Sequence, residues 1–158
     1  MHPNLDARRV FTCTRAGRKG NIAEQLAVLT PCLDRRSAST YAMADILCIG
    51  IDDASMQVKR STLERAGHTV SLAKDVRQVI AACSGIRFEV VLIGQTLPGK
   101  EKLRVHELLQ DHCSGAKILE QYAAAPDLPA ADAHIRAGQP GEDLVAVVEG
   151  LIARRKSA

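Results

Sequence analysis

Two short apolar runs constrain the fold of this chain more than any other feature. The first covers residues 46–51 (Ile-Leu-Cys-Ile-Gly-Ile), and the second is Val90–Ile93. Short apolar runs of this length, rich in β-branched residues and bounded by glycine, are typical of strands buried on both faces of a sheet. We therefore predict two central strands of a parallel sheet.

Helical patterns alternate with these strands and with shorter strand patterns. We predict a helix over 55–66, with Asp53 or Ser55 as N-cap and Gly67 as its stop, and a helix from Asp75 to Gly85. Further helices are expected over 103–113 and 141–154, and further strands over 68–72, 117–119 and 133–136. This alternation predicts a doubly wound α/β domain with a five-stranded parallel sheet in flavodoxin-like order.

Length and composition limit the chain to a few classes of protein. The 158 residues suit one domain, and the 3% aromatic fraction without Trp calls for an aliphatic core. No apolar run reaches the ~18 residues that span a membrane, and no secretory signal is recognisable, so we expect a cytoplasmic protein. Five cysteines without a Cys-x-x-Cys pair suggest neither zinc nor a disulfide framework, and Cys48 and Cys83 are expected to be small buried hydrophobic residues.

The positive charge is concentrated in the first 42 residues. This segment has seven basic and three acidic residues, which leaves a net charge of −1 for the remainder. It contains one short helical pattern, over 21–29, and no strand pattern. A nucleic-acid arm or an organelle-targeting peptide would be basic in the same way, but the segment lacks interleaved aromatic residues and an apolar anchor. We predict a disordered basic extension over 1–42 and a single domain over 43–158.

The run from Phe88 to Gly99, together with the first strand and the helix that ends at Gly67, resembles the receiver domain of bacterial response regulators. The resemblance covers nearly all of 43–158. It implies two adjacent acids after the first strand that hold Mg²⁺, and an Asp after the third strand that accepts a phosphoryl group. It also implies a Thr or Ser after the fourth strand and a Lys after the fifth. Phosphoryl transfer to a carboxylate requires these groups, because the metal and the Lys offset the developing negative charge.

This chain departs from the receiver pattern at each of those positions. Gly50 and Ile51 are expected in place of the acid pair, while Asp52 and Asp53 serve as N-cap and first-turn acids of the following helix. Gly94 is expected in place of the phosphoacceptor. The predicted relic pocket consists of Gly50, Ile51, Asp52, Asp53, Gly94, Gln121 and Ala137.

The looser positions in this comparison lie in the second half of the domain. Either Gln121 or Tyr122 corresponds to the Thr or Ser, and Ala137 lies near the Lys position. The segment between them is shorter than in the family and contains Pro126 and Pro129. We therefore expect the helix between the fourth and fifth strands to be shortened or replaced by a loop.

These observations predict a degenerate, stand-alone receiver-like domain that acts as a phosphorylation-independent interaction module in bacterial two-component signalling. We expect no enzymatic activity, no cofactor and no metal, since His106 and His112 are not spaced to converge on one helix face. The expected partner is a signalling protein, with a homodimer also considered, and neither nucleic acid nor membrane.

Two alternative functions remain open at this point. One is a small-ligand or nucleotide-binding domain that uses a neutral crevice lined by Gly50, Gly94, Gln95 and Thr96. The other is a divalent ion held by Asp52 and Asp53 with an unusual enzyme activity. An Asp introduced at position 94 is expected to find no cation and to have a raised pKa.

Overall fold

The computed structural model describes residues 43–157, which form one parallel sheet with helices on both faces. The elements in chain order are β1 Asp45–Ile49, α1 Asp53–Arg65, β2 Thr69–Ala73, α2 Val76–Gly85, β3 Val90–Ile93, α3 Gly99–His112, β4 Lys117–Tyr122, β5 Ala133–Arg136 and α4 Gly141–Ser157. The strand order is β2-β1-β3-β4-β5, and every neighbouring pair is parallel. The predicted fold class is therefore confirmed. The prediction for residues 1–42, including the helical pattern over 21–29, lies outside the described residues.

Alternating side chains of the central strands divide the core into two apolar layers. One layer packs Cys48 and Leu92 of the sheet against Leu63 of α1 and Val148 of α4. The other packs residues such as Ile93 against α2 and α3. Because successive residues of a strand point to opposite faces, a strand buried on both faces must be apolar throughout. Val90–Ile93 is such a strand and has the bounds that the sequence predicts.

The N-cap residues determine where the helices begin, and one of them differs from the prediction. The carboxylate of Asp52 accepts a hydrogen bond from the Ser55 amide at 2.8 Å, so Asp52 is the N-cap of α1 and Asp53 lies in its first turn. The proposal of Asp53 or Ser55 as the cap is wrong, whereas the pairing of Asp52 with Asp53 as cap and first-turn acid agrees with the structure. Asp75 caps α2 as expected. Gly67 ends α1 with φ of 95°, a conformation that favours glycine.

Other boundaries also differ from the prediction. Strand β2 begins at Thr69 and extends to Ala73, and α3 begins at Gly99 directly after Pro98 instead of at residue 103. Strand β4 continues to Tyr122, beyond the apolar residues that mark its start. The extension of β4 brings a charged residue, Glu120, into the interior.

No helix connects β4 and β5. Residues 123–132 form a loop, as the short spacing predicts. The loop is fastened to β4 by Asp132, whose carboxylate accepts the Ile118 amide at 2.8 Å and pairs with Lys117 at 3.0 Å. The buried Leu128 packs into the layer beneath α2 and α3.

The cysteines differ from the expectation. Cys83 at the end of α2 forms a disulfide with Cys113 after α3, with Cα atoms 5.5 Å apart. The prediction that the cysteines form no disulfide is therefore wrong. The two cysteines are thirty residues apart in sequence, and the two helix ends that carry them meet only in the folded domain. Cys48 is buried and free, as expected. Among residues 43–157, no helix combines the length and apolar character needed to cross a membrane.

Candidate functional site

Two glycines lie side by side where β1 and β3 end. Ile49 pairs with Ile93 in the sheet, and the Gly94 amide donates a hydrogen bond to the Ile49 carbonyl at 2.7 Å. A Cβ atom at position 94 would stand 2.9 Å from that carbonyl oxygen and 3.7 Å from the Gly50 Cα. The backbones therefore approach so closely that a side chain at position 94 requires a local shift.

The residues after Gly50 are either exposed to solvent or belong to the start of α1. The Ile51 side chain is exposed, and its amide donates to the Thr96 hydroxyl at 3.1 Å. Asp52 caps α1, and Asp53 forms an ion pair with Lys74. Both carboxylates thus have protein partners. Among residues 43–157, no group of three or more His, Cys, Asp or Glu side chains is arranged to hold a metal ion.

Lys59 of α1 lies at this edge of the sheet, although sequence reasoning did not single it out. The residue is only 8% exposed, and its Nζ lies 3.3 Å from the position that a Cβ of residue 94 would take. Burial lowers the pKa of this ammonium group, while Cys48 and Asp52 act in the opposite direction. The crevice is therefore not neutral as expected, because a buried cation occupies it.

Gln121 and Ala137 lie on the other side of the same edge. Gln121 is the β4 residue that follows Glu120, the partner of Ile93 in the sheet, and the Ala137 amide donates to the Tyr122 carbonyl at 2.7 Å just after β5. The Oε1 atom of Gln121 is buried and has no hydrogen-bond partner within 43–157. The structure therefore brings Gly50, Gly94 and Gln121 to one edge, while Ile51, Asp52 and Asp53 lie towards α1 and solvent.

A cavity of about 300 Å³ opens beside Gln121 and Lys59. Its wall is formed by α1, by the ends of β4 and β5, and by the start of α4, and it includes Arg136 and Gln139. Gly141, the first residue of α4, approaches α1 so closely that a Cβ there would stand 2.9 Å from the Thr62 Cγ2. Among residues 43–157, two cationic side chains and no carboxylate line this cavity.

A second buried charged cluster lies on the opposite face of the sheet. Lys102 Nζ lies 2.9 Å from Glu120 Oε1 and 2.8 Å from Asp127 Oδ2. Glu120 also accepts the backbone amides of Asp127 and Leu128, at 2.8 and 2.9 Å. Because these bonds hold the loop after β4 against α3, the cluster takes the place of a helix in that connection.

Sequence reasoning missed both buried lysines for the same reason. Lys59 follows Met56 by three residues and precedes Leu63 by four, so it lies on the buried stripe of α1; Lys102 precedes Val105 by three on α3. A charged residue at a core position of a helical pattern was the available signal. The hydrophobic pattern alone treats such residues as part of the solvent-facing side.

Comparison with known proteins identifies structures of the same fold, but no matching family profile or curated sequence. No protein-family profile matches the chain. No curated protein sequence matches it either.

Several solved structures with the same architecture are response regulators or receiver domains. A CheY-like receiver domain protein from Methanospirillum hungatei is 20% identical with a TM-score of 0.66, over 73% of this chain and 98% of that one. A two-component response regulator from Clostridium difficile is 18% identical with a TM-score of 0.63, over 73% and 100% of the two chains. The receiver domain of a sensor histidine kinase from Pseudomonas aeruginosa, solved with magnesium coordinated in its active-site cleft, is 20% identical with a TM-score of 0.60, over 71% and 99%. The chain therefore has the receiver fold.

Proposed function

We propose that residues 43–158 act as a phosphorylation-independent interaction module in bacterial two-component signalling. The fold supports the signalling context, since solved structures with this architecture include receiver domains of two-component response regulators. The observation that carries the proposal is the pair formed by Gly94 and Lys59, because an ammonium group lies where the resemblance calls for a phosphoacceptor carboxylate.

Gly94 and Lys59 are unfavourable for the two requirements of phosphoryl transfer, a nucleophile and a bound Mg²⁺ ion. Gly94 offers no nucleophile, and transfer to a carboxylate also requires Mg²⁺ to offset the charge of the phosphoryl oxygens. Lys59 places a positive charge beside the end of β3, which repels a divalent cation. Asp52 and Asp53 are engaged as helix cap and ion-pair partner. The proposed module is therefore non-enzymatic and needs no cofactor.

The proposed partner is a cytoplasmic signalling protein, with a second copy of the chain as the alternative. Receiver folds present helix and loop surfaces to partners, and a contact of this kind does not require chemistry in the cleft. Exposed apolar side chains on α1 and α3, such as Val58 and Leu103, are suited to such a contact.

The direct test is incubation of the full chain with acetyl phosphate and Mg²⁺, followed by intact-mass measurement. We expect no added phosphoryl group at neutral pH. A receiver domain with its phosphoacceptor Asp, treated in parallel, controls for the phosphodonor. A gain of one phosphoryl mass on this chain, mapped to any residue of 43–158, would overturn the proposal.

We also propose that residues 43–158 fold without the basic extension. The described residues 43–157 by themselves supply an apolar layer on each face of the sheet. A chain that starts at Met43 is expected to melt within ~5 °C of the full chain, which for this size corresponds to about a kcal/mol. Aggregation of the shorter chain, or a larger loss, would assign the extension a structural role.

A further inference from the structure

We propose that the cavity between α1, the ends of β4 and β5 and the start of α4 binds a small oxyanion, a phosphate or carboxylate group, with the Lys59 ammonium as its main contact. This site goes beyond the proposed interaction role and does not depend on it. The proposal is carried by the burial of Lys59, the charge of the cavity wall, an unpaired acceptor and the position of a helix start.

Lys59 is the first observation. The side chain lines the cavity, the residue is 8% exposed, and within residues 43–157 its ammonium group has no hydrogen bond or ion pair. The carboxylate that acts on it electrostatically, Asp52, already accepts the Ser55 amide as an N-cap. The Nζ atom is not among the fully enclosed polar atoms of 43–157, so the ammonium group reaches solvent at the cavity, where an anion can contact it.

The composition of the wall is the second observation. Arg136 adds another cation, and the described part of the chain contributes no Asp or Glu to the wall. The remaining polar groups include the amides of Gln95, Gln121 and Gln139, which can donate hydrogen bonds to oxygen atoms. A wall of two cations and several amides, without a carboxylate, complements an anion and excludes a metal cation.

Gln121 supplies the third, independent observation. Its Oε1 atom is buried without a hydrogen-bond partner, which is unusual for a polar atom in a folded protein. Rotation of the Gln121 side chain towards the cavity that it lines would bring this acceptor to a hydroxyl or protonated oxygen of a ligand. This favours a hydrogen phosphate, a phosphate monoester or a hydroxy acid over a simple halide.

The start of α4 completes the cavity. This 17-residue helix begins at Gly141, which lines the cavity, and helix N-termini carry a partial positive charge that favours anions. Glu142 and Asp143 lie in the same first turn but do not line the cavity. The volume of about 300 Å³ suits a metabolite-sized molecule more than a nucleotide.

The test is an NMR titration of the ¹⁵N-labelled full chain with inorganic phosphate and, separately, with acetate. Ionic strength is held constant with sodium chloride, so that general screening does not mimic binding. We expect saturable shifts of the Gly94 and Gln95 amides and of the Gln121 side-chain amide at millimolar anion. The tighter of the two anions identifies the preferred group.

Three variants decide whether the shifts report the proposed site. Lys59→Met should weaken binding by about tenfold or more, and Lys59→Arg should retain most of it because the charge remains. Lys100→Met, an exposed lysine at the start of α3, should leave the titration unchanged. If Lys59→Met does not fold, Arg136→Met takes its place and should also weaken binding.

Absence of saturable shifts with both anions, or equal affinity in the wild type and in Lys59→Met, would overturn the proposed site. Neither result would bear on the interaction role, which the phosphodonor experiment tests separately.

Discussion

Lys102 Nζ and Glu120 Oε1 lie 2.9 Å apart, and their side chains are 2% and 0% exposed. Burial would raise the pKa of Glu120, but hydrogen bonds from Lys102 and two backbone amides lower it overall. Burial would likewise lower the pKa of Lys102, but its bonds to Asp127 and Glu120 raise it overall. The pair therefore contributes stability between the ordinary pKa of Glu, 4.5, and that of Lys, 10.5, and loses it outside this window.

Breaking this pair from one side should destabilise the domain strongly. Lys102→Met leaves Glu120 and Asp127 without their cation, and Glu120→Gln leaves Lys102 buried beside a neutral amide. Each single change should cost about 3–5 kcal/mol, and the double change should cost much less than the sum. Urea unfolding at neutral pH measures all three free energies. Additive losses would show that the two groups do not act on each other.

His68 should make stability depend on pH in the weakly acidic range. Burial lowers the pKa of this 5% exposed side chain, although Glu149 and Glu89 oppose the effect. As the pH falls below 6.5, His68 is therefore protonated in the unfolded chain before it is protonated in the folded one. The contribution of His68 to stability should be complete above pH 6.5 and decrease as the pH falls below that value. Urea unfolding between pH 8 and pH 5 should show a smaller loss for His68→Leu than for the wild type. Equal losses would assign the pH dependence to other groups.

Substitutions at Gly94 should reveal the charge of Lys59. The expectation that an Asp at this position finds no cation is wrong, because Lys59 Nζ lies 3.3 Å from the Cβ position. Gly94→Asp and Gly94→Asn should both lose stability, about 1–3 kcal/mol, since their Cβ atoms crowd the Ile49 carbonyl. At neutral pH the Asp variant should be the more stable of the two.

The same comparison in a Lys59→Met background provides the control. Lys59→Met alone should change the free energy of unfolding by no more than about 1 kcal/mol, because the ammonium group that it removes reaches solvent and has no ion pair among residues 43–157. In that background Gly94→Asp should become less stable than Gly94→Asn. An unchanged order would mean that Lys59 does not contact the introduced carboxylate.

The disulfide between Cys83 and Cys113 should stabilise the domain by limiting the unfolded chain. A bridge across thirty residues is expected to contribute about 2–4 kcal/mol. Dithiothreitol should therefore lower the urea midpoint of the wild type and leave that of the Cys83→Ala, Cys113→Ala variant unchanged. Equal sensitivity of both proteins to dithiothreitol would locate the effect at other cysteines.

Local patterns predicted the parts of the fold that local forces determine. Val90–Ile93 is recognisable because every residue is apolar, and Asp75 is recognisable because a cap bonds within its own turn. Strand β4 was shortened in the prediction because Glu120 interrupts its apolar run. The Glu120 carboxylate is stabilised in the interior by the Asp127 and Leu128 amides and by Lys102, a contact across eighteen residues that the sequence does not display.

The candidate site was predictable in position but not in charge. Gly94 follows an apolar strand and could be placed from its neighbours in sequence, whereas Lys59 comes from a different element and reaches the site only through packing of α1. The bond between Cys83 and Cys113 was missed for the same reason, since two helix ends meet only in the folded domain.

The central claim is that this receiver fold has a cationic cleft in place of a metal-binding one. A Mg²⁺ titration of the ¹⁵N-labelled full chain at constant ionic strength tests it most directly, with the amides of Gly50, Gly94 and Gln95 as reporters. The Lys59 charge, together with the engagement of Asp52 by the Ser55 amide and of Asp53 by Lys74, predicts that these amides do not shift at millimolar Mg²⁺. Saturable shifts of Gly50 and Gly94 with Mg²⁺ would contradict the account.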